Sequence, residues 1–125
     1  MSASDYDAIA EIADVFAYGK VDAVKRLVSE GVSLDEELRM GETPFGVAVR
    51  FSNYAVVDYL LGIGADVNKC YPDRGGEPPV KVAYDQGDKR MYDILVEAGG
   101  DLDLPGWMGI SVRDRLASLP RSTTG

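Results

Sequence analysis

The chain has 125 residues, enough for one domain, and 46% of them are hydrophobic and 27% charged, as in ordinary globular proteins. Its net charge of −8 argues against nucleic-acid binding, which needs clustered Lys and Arg. The absence of histidine excludes Ser-His and Cys-His nucleophiles and histidine-bearing zinc sites, and a single cysteine, Cys70, excludes an intramolecular disulfide. With no apolar run of roughly 18 residues and no leader-like pattern at Met1 to Asp7, we expect a cytoplasmic protein.

The negative charge is concentrated toward the N-terminal end. Residues 1–42 carry a net charge of −6, residues 43–103 carry −4, and residues 104–125 carry +2. Such a charged face is either simply solvated or a surface that attracts a cationic partner.

A short motif that ends in glycine recurs along the chain. It stands at Leu27–Gly31, Leu60–Gly64 and Leu95–Gly99, and its glycines lie 33 and then 35 residues apart. A second marker begins with glycine and recurs with the same two spacings, at Gly41–Pro44, Gly76–Pro79 and, more loosely, Gly109–Val112. A fixed period of this size indicates a repeat architecture.

Each repeat is predicted to contain a short helix, a tight turn, a second helix and an extended loop. The first helix begins near Ser4. In the second unit, Thr43 is expected to cap a helix whose first residue is Pro44. Ser111 and Asp114 have the spacing of a capping box, which predicts a last short helix.

The second helices have start and stop signals of their own. Asn53 and Asp88 are expected to cap their N-termini. Gly31, Gly64 and Gly99 stand where a helix ends in a left-handed residue. These signals predict an all-α chain.

The middle unit identifies a family. Its residues Gly41-Glu42-Thr43-Pro44-Phe45, followed by Leu60-Leu61 and Gly64-Ala65-Asp66-Val67-Asn68, resemble the ankyrin repeat. The resemblance covers about residues 4–119 and implies a solenoid of stacked antiparallel helix pairs with hairpin-like loops. We expect one domain over residues 1–119, with units at about 4–35, 41–69, 76–103 and 109–119, and a disordered tail at 120–125.

Two positions of the family motif are altered. Its histidine is replaced by Gly46 in the second unit and aligns with Ala13 and Lys81 in the others, and its threonine survives only as Thr43. In the family, this threonine and histidine hydrogen-bond neighbouring turns together. We therefore expect these bonds to be made differently or to be missing.

The resemblance implies a protein-binding scaffold without catalytic machinery or cofactor. In the family, partners bind to the outward positions of the first helices and to the loop tips. The first-helix positions carried over are Asp14, Val47 and Val82, then Ala17, Arg50 and Asp85, then Tyr18, Phe51 and Gln86. The loop tips align as Arg39, Arg74 and Trp107, followed by Met40, Gly75 and Met108. From these we predict the partner-binding residues, which are Tyr18, Arg39, Met40, Val47, Arg50, Phe51, Arg74, Val82, Trp107 and Met108.

Several of these side chains have an alternative role. Exposed apolar patches mark interaction sites, and Trp and Arg are enriched at binding hot spots. However, Tyr18 and Phe51 could instead bend into the helix core, and Trp107 could instead cover the last hydrophobic layer.

Two weaker chemical hypotheses concern other residues. Lys69 and Arg74 lie near Cys70 in sequence and would favour a reactive thiolate. The acidic runs Asp35–Glu37 and Asp101–Asp103 are of the type that binds a hard metal ion, although the ankyrin motif already explains Asp101 as a turn residue.

The functional prediction is a non-catalytic protein-binding module, monomeric when free, that does not bind nucleic acid or membranes. Its size and acidity suggest that it neutralises or regulates a basic partner, for instance as an immunity-type protein that covers the active site of a basic toxin. One alternative is a structural ankyrin protein that associates with itself. Another is a small carboxylate-based enzyme, which requires two converging carboxylates with a raised pKa.

Overall fold

The computed structural model describes the backbone over residues 3–120 and the side chains over residues 8–120. Of the predicted tail, residues 121–125 lie outside this part. The described chain forms seven α-helices, a short 3-10 helix at Pro72–Arg74 and no strand. The α-helices are α1 (Ala3–Tyr18), α2 (Val21–Ser29), α3 (Pro44–Arg50), α4 (Tyr54–Gly62), α5 (Pro79–Gln86), α6 (Lys89–Glu97) and α7 (Val112–Ala117).

The helices form three antiparallel pairs and a terminal single helix. Turns of two or three residues join α1 to α2, α3 to α4 and α5 to α6. The first helices stack in a row in which α3 packs between α1 and α5, and α7 packs on α5. The core lies between these layers and includes the fully buried side chains of Phe16, Phe45, Leu60, Met91 and Leu95. The all-α solenoid predicted from the repeats is confirmed.

Local signals at the starts of the first helices have the predicted geometry. The hydroxyl of Thr43 accepts a hydrogen bond from the Gly46 N–H at 3.3 Å, and Pro44 begins the helix. Ser111 and Asp114 form both bonds of a capping box, at 3.1 and 2.9 Å. These bonds satisfy N–H groups that the helix itself leaves without acceptors.

The second helices differ in how they begin. The carboxylate of Asp88 accepts a hydrogen bond from the Met91 N–H at 3.0 Å, as expected of a cap. The prediction that Asn53 caps α4 is wrong, because its side chain makes no capping bond. The Asn53 amide instead donates to the carbonyl oxygens of Phe16 at 3.1 Å and Gly19 at 3.0 Å, at the end of the preceding first helix.

The helix-ending glycines adopt the expected left-handed conformation. Gly31, Gly64 and Gly99 have φ angles of 95°, 88° and 101°. Another residue at these positions would have a strained backbone.

The loops between units stack closely on one another. The Tyr71 N–H donates to the Gly41 carbonyl at 2.8 Å, and the Trp107 N–H donates to the Gly76 carbonyl at 3.1 Å. At Gly41, a Cβ atom would lie 2.2 Å from the Gly76 nitrogen, so only glycine fits. The two hydrogen bonds and this close approach together hold three successive loop tips next to one another.

Neighbouring units are joined by bonds that differ from those of the family motif. Besides Asn53, the side chain of Asn68 bridges two units, since its amide donates to the Gly99 carbonyl at 3.2 Å and its oxygen accepts from the Asp101 N–H at 2.8 Å. The hydroxyl of Ser52 donates to Asp88 at 2.7 Å. The missing threonine–histidine bonds are therefore replaced by other contacts between units.

Candidate functional site

Tyr18 and Phe51 occupy equivalent ends of two neighbouring first helices. Their rings meet edge to face with centroids 5.0 Å apart. The Tyr18 residue is 71% exposed and Phe51 is half-buried, so neither lies wholly in the core. The third position of this row, Gln86, is exposed, and its side-chain amide donates to the Arg50 carbonyl at 3.0 Å. The row is therefore continuous along the solenoid.

The loop before α3 extends this aromatic pair. The guanidinium carbon of Arg39 lies 5.3 Å from the centre of the Phe51 ring, a cation–π contact. Met40 follows in a left-handed conformation, with φ of 47°, and is 72% exposed. An arginine, two aromatic rings and a methionine thus form one surface patch.

The next two loop tips continue along the same edge. Arg74 is exposed and its guanidinium bonds to the Glu37 carboxylate at 2.8 Å, which raises the pKa of Arg74 above its ordinary value. Trp107 and Met108 are 57% and 64% exposed on the third tip. Trp107 does not close the last layer of the core, where Val112 is fully buried instead.

Arg50 stabilises a buried carboxylate, a role that the sequence alone does not predict. Its side chain, which is partly exposed, forms an ion pair with the buried carboxylate of Glu42. Burial raises the pKa of Glu42 above its ordinary value, and Arg50 opposes that shift by its charge and hydrogen bond. Arg50 is therefore committed to neutralising Glu42.

Val47 and Val82 do not lie on the surface. Their exposed fractions are 0% and 3%, and Ala17 in the same set of positions is also buried. The prediction that these two valines face outward is wrong, because α3 packs against first helices on both sides and α5 packs against α3 and α7. Asp14 and Asp85 are exposed.

Sequence reasoning missed a cleft between α1 and the loop before α3. It encloses about 410 Å³ and is lined by Ile9, Ala10, Ala13, Asp14, Leu38, Arg39 and Met40. Ile9 gives a sequence signal for it, since this residue continues the apolar stripe of α1 that Ile12 and Ala13 belong to.

The structure bears on the hypotheses of a reactive thiol and of a metal ion. Burial and the negative charge of Glu77 raise the pKa of the Cys70 thiol to about 11, so Lys69 and Arg74 do not activate it. Over the described side chains, no three His, Cys, Asp or Glu residues are grouped to hold a metal ion. None of the described helices combines the length and apolarity required to cross a membrane.

Comparison with known proteins identifies the class. A family description of three ankyrin repeats matches residues 12–105, so the chain belongs to the ankyrin-repeat family. It is 32% identical over 114 residues to cyclin-dependent kinase 4 inhibitor B of Bos taurus, covering 89% of this chain and 77% of that protein.

Two longer proteins contain a similar region. The chain is 31% identical over 96 residues to the inactive serine/threonine-protein kinase TEX14 of Bos taurus, which covers 76% of this chain and 6% of that protein. It is 31% identical over 86 residues to the RelA-associated inhibitor of Mus musculus, which covers 69% of this chain and 10% of that protein. The chain therefore spans only a small part of these relatives.

Proposed function

We propose that this chain is a non-catalytic module that binds another protein through one edge of the solenoid. We name this edge the tip surface and define it as Tyr18, Arg39, Met40, Phe51, Arg74, Trp107 and Met108. The observation that carries the proposal is the continuity of these side chains across three stacked loops and two first helices. Ankyrin repeats generally mediate protein–protein interaction, which agrees with this assignment.

The composition of the tip surface supports binding. Tyr18, Met40, Trp107 and Met108 are each more than half exposed, and large apolar side chains grouped at a surface mark interaction sites. Trp, Tyr and Arg are the residue types that contribute most at protein interfaces. Backbone hydrogen bonds between the stacked loops fix the loop backbone that carries part of this surface, which lowers the backbone entropy lost on binding.

We further propose that the module neutralises or regulates a basic partner in the cytoplasm, for instance as an immunity-type protein against a basic toxin. The net charge of −8 supports this because it accelerates encounter with a cationic protein. Two relatives are named as inhibitors, which supports a regulatory role. The proposed action is steric, by covering part of the partner, and requires no cofactor.

Affinity capture from the native source, followed by mass spectrometry, tests the proposal. The wild-type chain is compared with Arg39→Ala, Phe51→Ala and Trp107→Ala, and with Arg74→Ala. Matched controls are Ile63→Ala and Val96→Ala, which shorten exposed apolar side chains at the ends of the second helices.

We expect the partner to be lost or weakened about tenfold or more in at least one tip variant, as at interface hot spots, and to be retained by both controls. A partner held equally by all four tip variants would show that the tip surface is not the binding site. The basic-partner proposal also predicts that association slows as salt is added. An association rate that does not depend on salt would contradict that part alone.

A further inference from the structure

The cleft beside α1 is open because of how the loops stack. The loop that contains Gly41 bonds to the next loop through Tyr71. Its other side faces α1, which is already helical from Ala3 and provides no described loop to stack there. The resulting space of about 410 Å³ falls within the range of ligand pockets.

The described lining of this cleft is largely apolar. Ile9, Ala10, Ala13 and Leu38 contribute hydrocarbon surface, and the exposed Met40 side chain stands at the edge. Methionine adapts its shape to an incoming group because its side chain is unbranched and flexible. An apolar side chain of a partner therefore fits this space.

One cation at the rim, Arg39, is held in no ion pair within residues 8–120, although its charge helps to lower the pKa of Glu42. Among the described acids nearby, Glu37 is bound by Arg74 and by the Gly41 N–H at 2.6 Å, and Glu42 is bound by Arg50. Arg39 forms no ion pair with any described residue, and its guanidinium carbon lies within cation–π distance of the Phe51 ring. A guanidinium held on a ring keeps N–H groups at its edge for a carboxylate.

We infer that this cleft receives a bulky apolar side chain of the partner protein, and that a carboxylate next to that side chain pairs with Arg39. This inference rests on the proposed function, since it names the chemistry by which the tip surface recognises its partner. Asp14 also lines the cleft and would repel a second carboxylate, so the occupant carries one, on the Arg39 side. The net negative charge of the chain can attract a basic protein at long range while Arg39 binds one carboxylate of that protein at short range.

A fragment that contains only these two groups tests the inference without the partner. The full chain labelled with ¹⁵N is titrated with 4-phenylbutyrate and, separately, with the uncharged 4-phenylbutyramide. We expect chemical-shift changes at the backbone amides of Ala10, Ala13 and residues 38–40. The carboxylate should bind about two- to fivefold more tightly than the amide, as expected for a partly exposed ion pair.

Variants separate the two parts of the site. Arg39→Gln should remove the preference for the carboxylate, whereas the control Arg113→Gln, at an exposed arginine that is paired with Asp103 outside the tip surface, should keep it. Ala10→Leu should fill the cleft and weaken both fragments while the rest of the spectrum stays folded. Position 10 is exposed and leucine favours helix, so this variant tests occupancy rather than folding.

Two results would overturn the inference: equal affinity of the wild-type chain for both fragments, or shift changes centred on the second cleft near Tyr84 and Tyr92. If either occurs while partner capture still depends on the tip surface, the proposed function stands and only the inference fails. If the fragments behave as expected but the partner binds every tip variant as tightly as the wild-type chain, the proposed function fails instead.

Discussion

The hydroxyl of Tyr54 lies 2.8 Å from both carboxylate oxygens of Asp88 and so links the second helices of two neighbouring units. Asp88 also accepts from Ser52 and from the Met91 N–H that begins α6. Burial alone would raise the pKa of Asp88, but these hydrogen bonds, with the charge of Arg90, hold it below its ordinary value. One carboxylate therefore caps a helix and joins two units.

Replacing Asp88 by Asn should lower the free energy of unfolding at pH 7 by about 1–2 kcal/mol, because one oxygen that accepts from Ser52 and Tyr54 becomes an NH2 donor and the charge facing Arg90 is lost. Because the pKa of Asp88 is lowered in the folded state, its contribution is present above about pH 4 and is lost as pH falls through the folded pKa. Urea unfolding at pH 7 and pH 3 measures this: the difference in free energy of unfolding between wild type and variant should be smaller at pH 3.

The control for this prediction is Asp93→Asn, which removes an exposed ion pair with Lys89 on the same helix. It should change stability far less, because exposed pairs are screened by water and salt. The prediction would be contradicted if the free energies of unfolding of wild type and Asp88→Asn differed by the same amount at both pH values.

The helix starts that sequence predicts correctly depend on contacts within three residues. Thr43 and Asp88 each bond to an N–H three positions ahead, and Ser111 and Asp114 bond to each other. Such contacts follow from residue type and spacing alone. Residue type and spacing wrongly predicted a cap at Asn53, because the carbonyl oxygens that its side chain binds lie 34 and 37 residues earlier in the chain.

The surface that we propose for partner binding is less predictable than the fold, for a related reason. At the loop tips that the family motif assigns, Trp107 and Met40 are exposed. Burial of a first-helix side chain depends on which helices cover it, however, and α3 is covered on two sides. Val47 lies in α3 and Phe51 directly follows that helix, one turn further on, yet Val47 is buried and Phe51 reaches the surface.

Asn53 provides a test that separates capping from contact between units. Asn53→Ala should reduce the free energy of unfolding by about 1–3 kcal/mol, since the Phe16 and Gly19 carbonyls lose their donor. Asn53→Asp keeps a good capping acceptor but cannot donate, so it should be about as harmful as alanine. Thermal and urea unfolding of both variants measure this, and a fully stable aspartate variant would mean that Asn53 acts as a cap.

Gly41 and Gly64 allow the close stacking of loops to be tested apart from backbone strain. Both have positive φ, 77° and 88°, so alanine at either position costs about 1–2 kcal/mol in left-handed strain. Only at Gly41 would the new methyl group also collide with backbone, at the Gly76 nitrogen. Gly41→Ala should therefore separate the loops and lower the melting temperature much more than Gly64→Ala, and equal losses would argue against tight stacking.

The thiol of Cys70 should react slowly with alkylating reagents near neutral pH. Burial and the negative charge of Glu77 raise its pKa to about 11, so only a very small fraction is thiolate, the reactive form. The rate of iodoacetamide labelling in the folded chain should keep rising up to pH 10, whereas in urea it should level off near the ordinary thiol pKa of 9.0. Glu77→Gln should raise the folded rate at pH 8 by removing one of the two causes. A folded chain that labels as fast as the unfolded one at pH 8 would show an accessible, activated thiol and would reopen the possibility of nucleophilic chemistry at this loop.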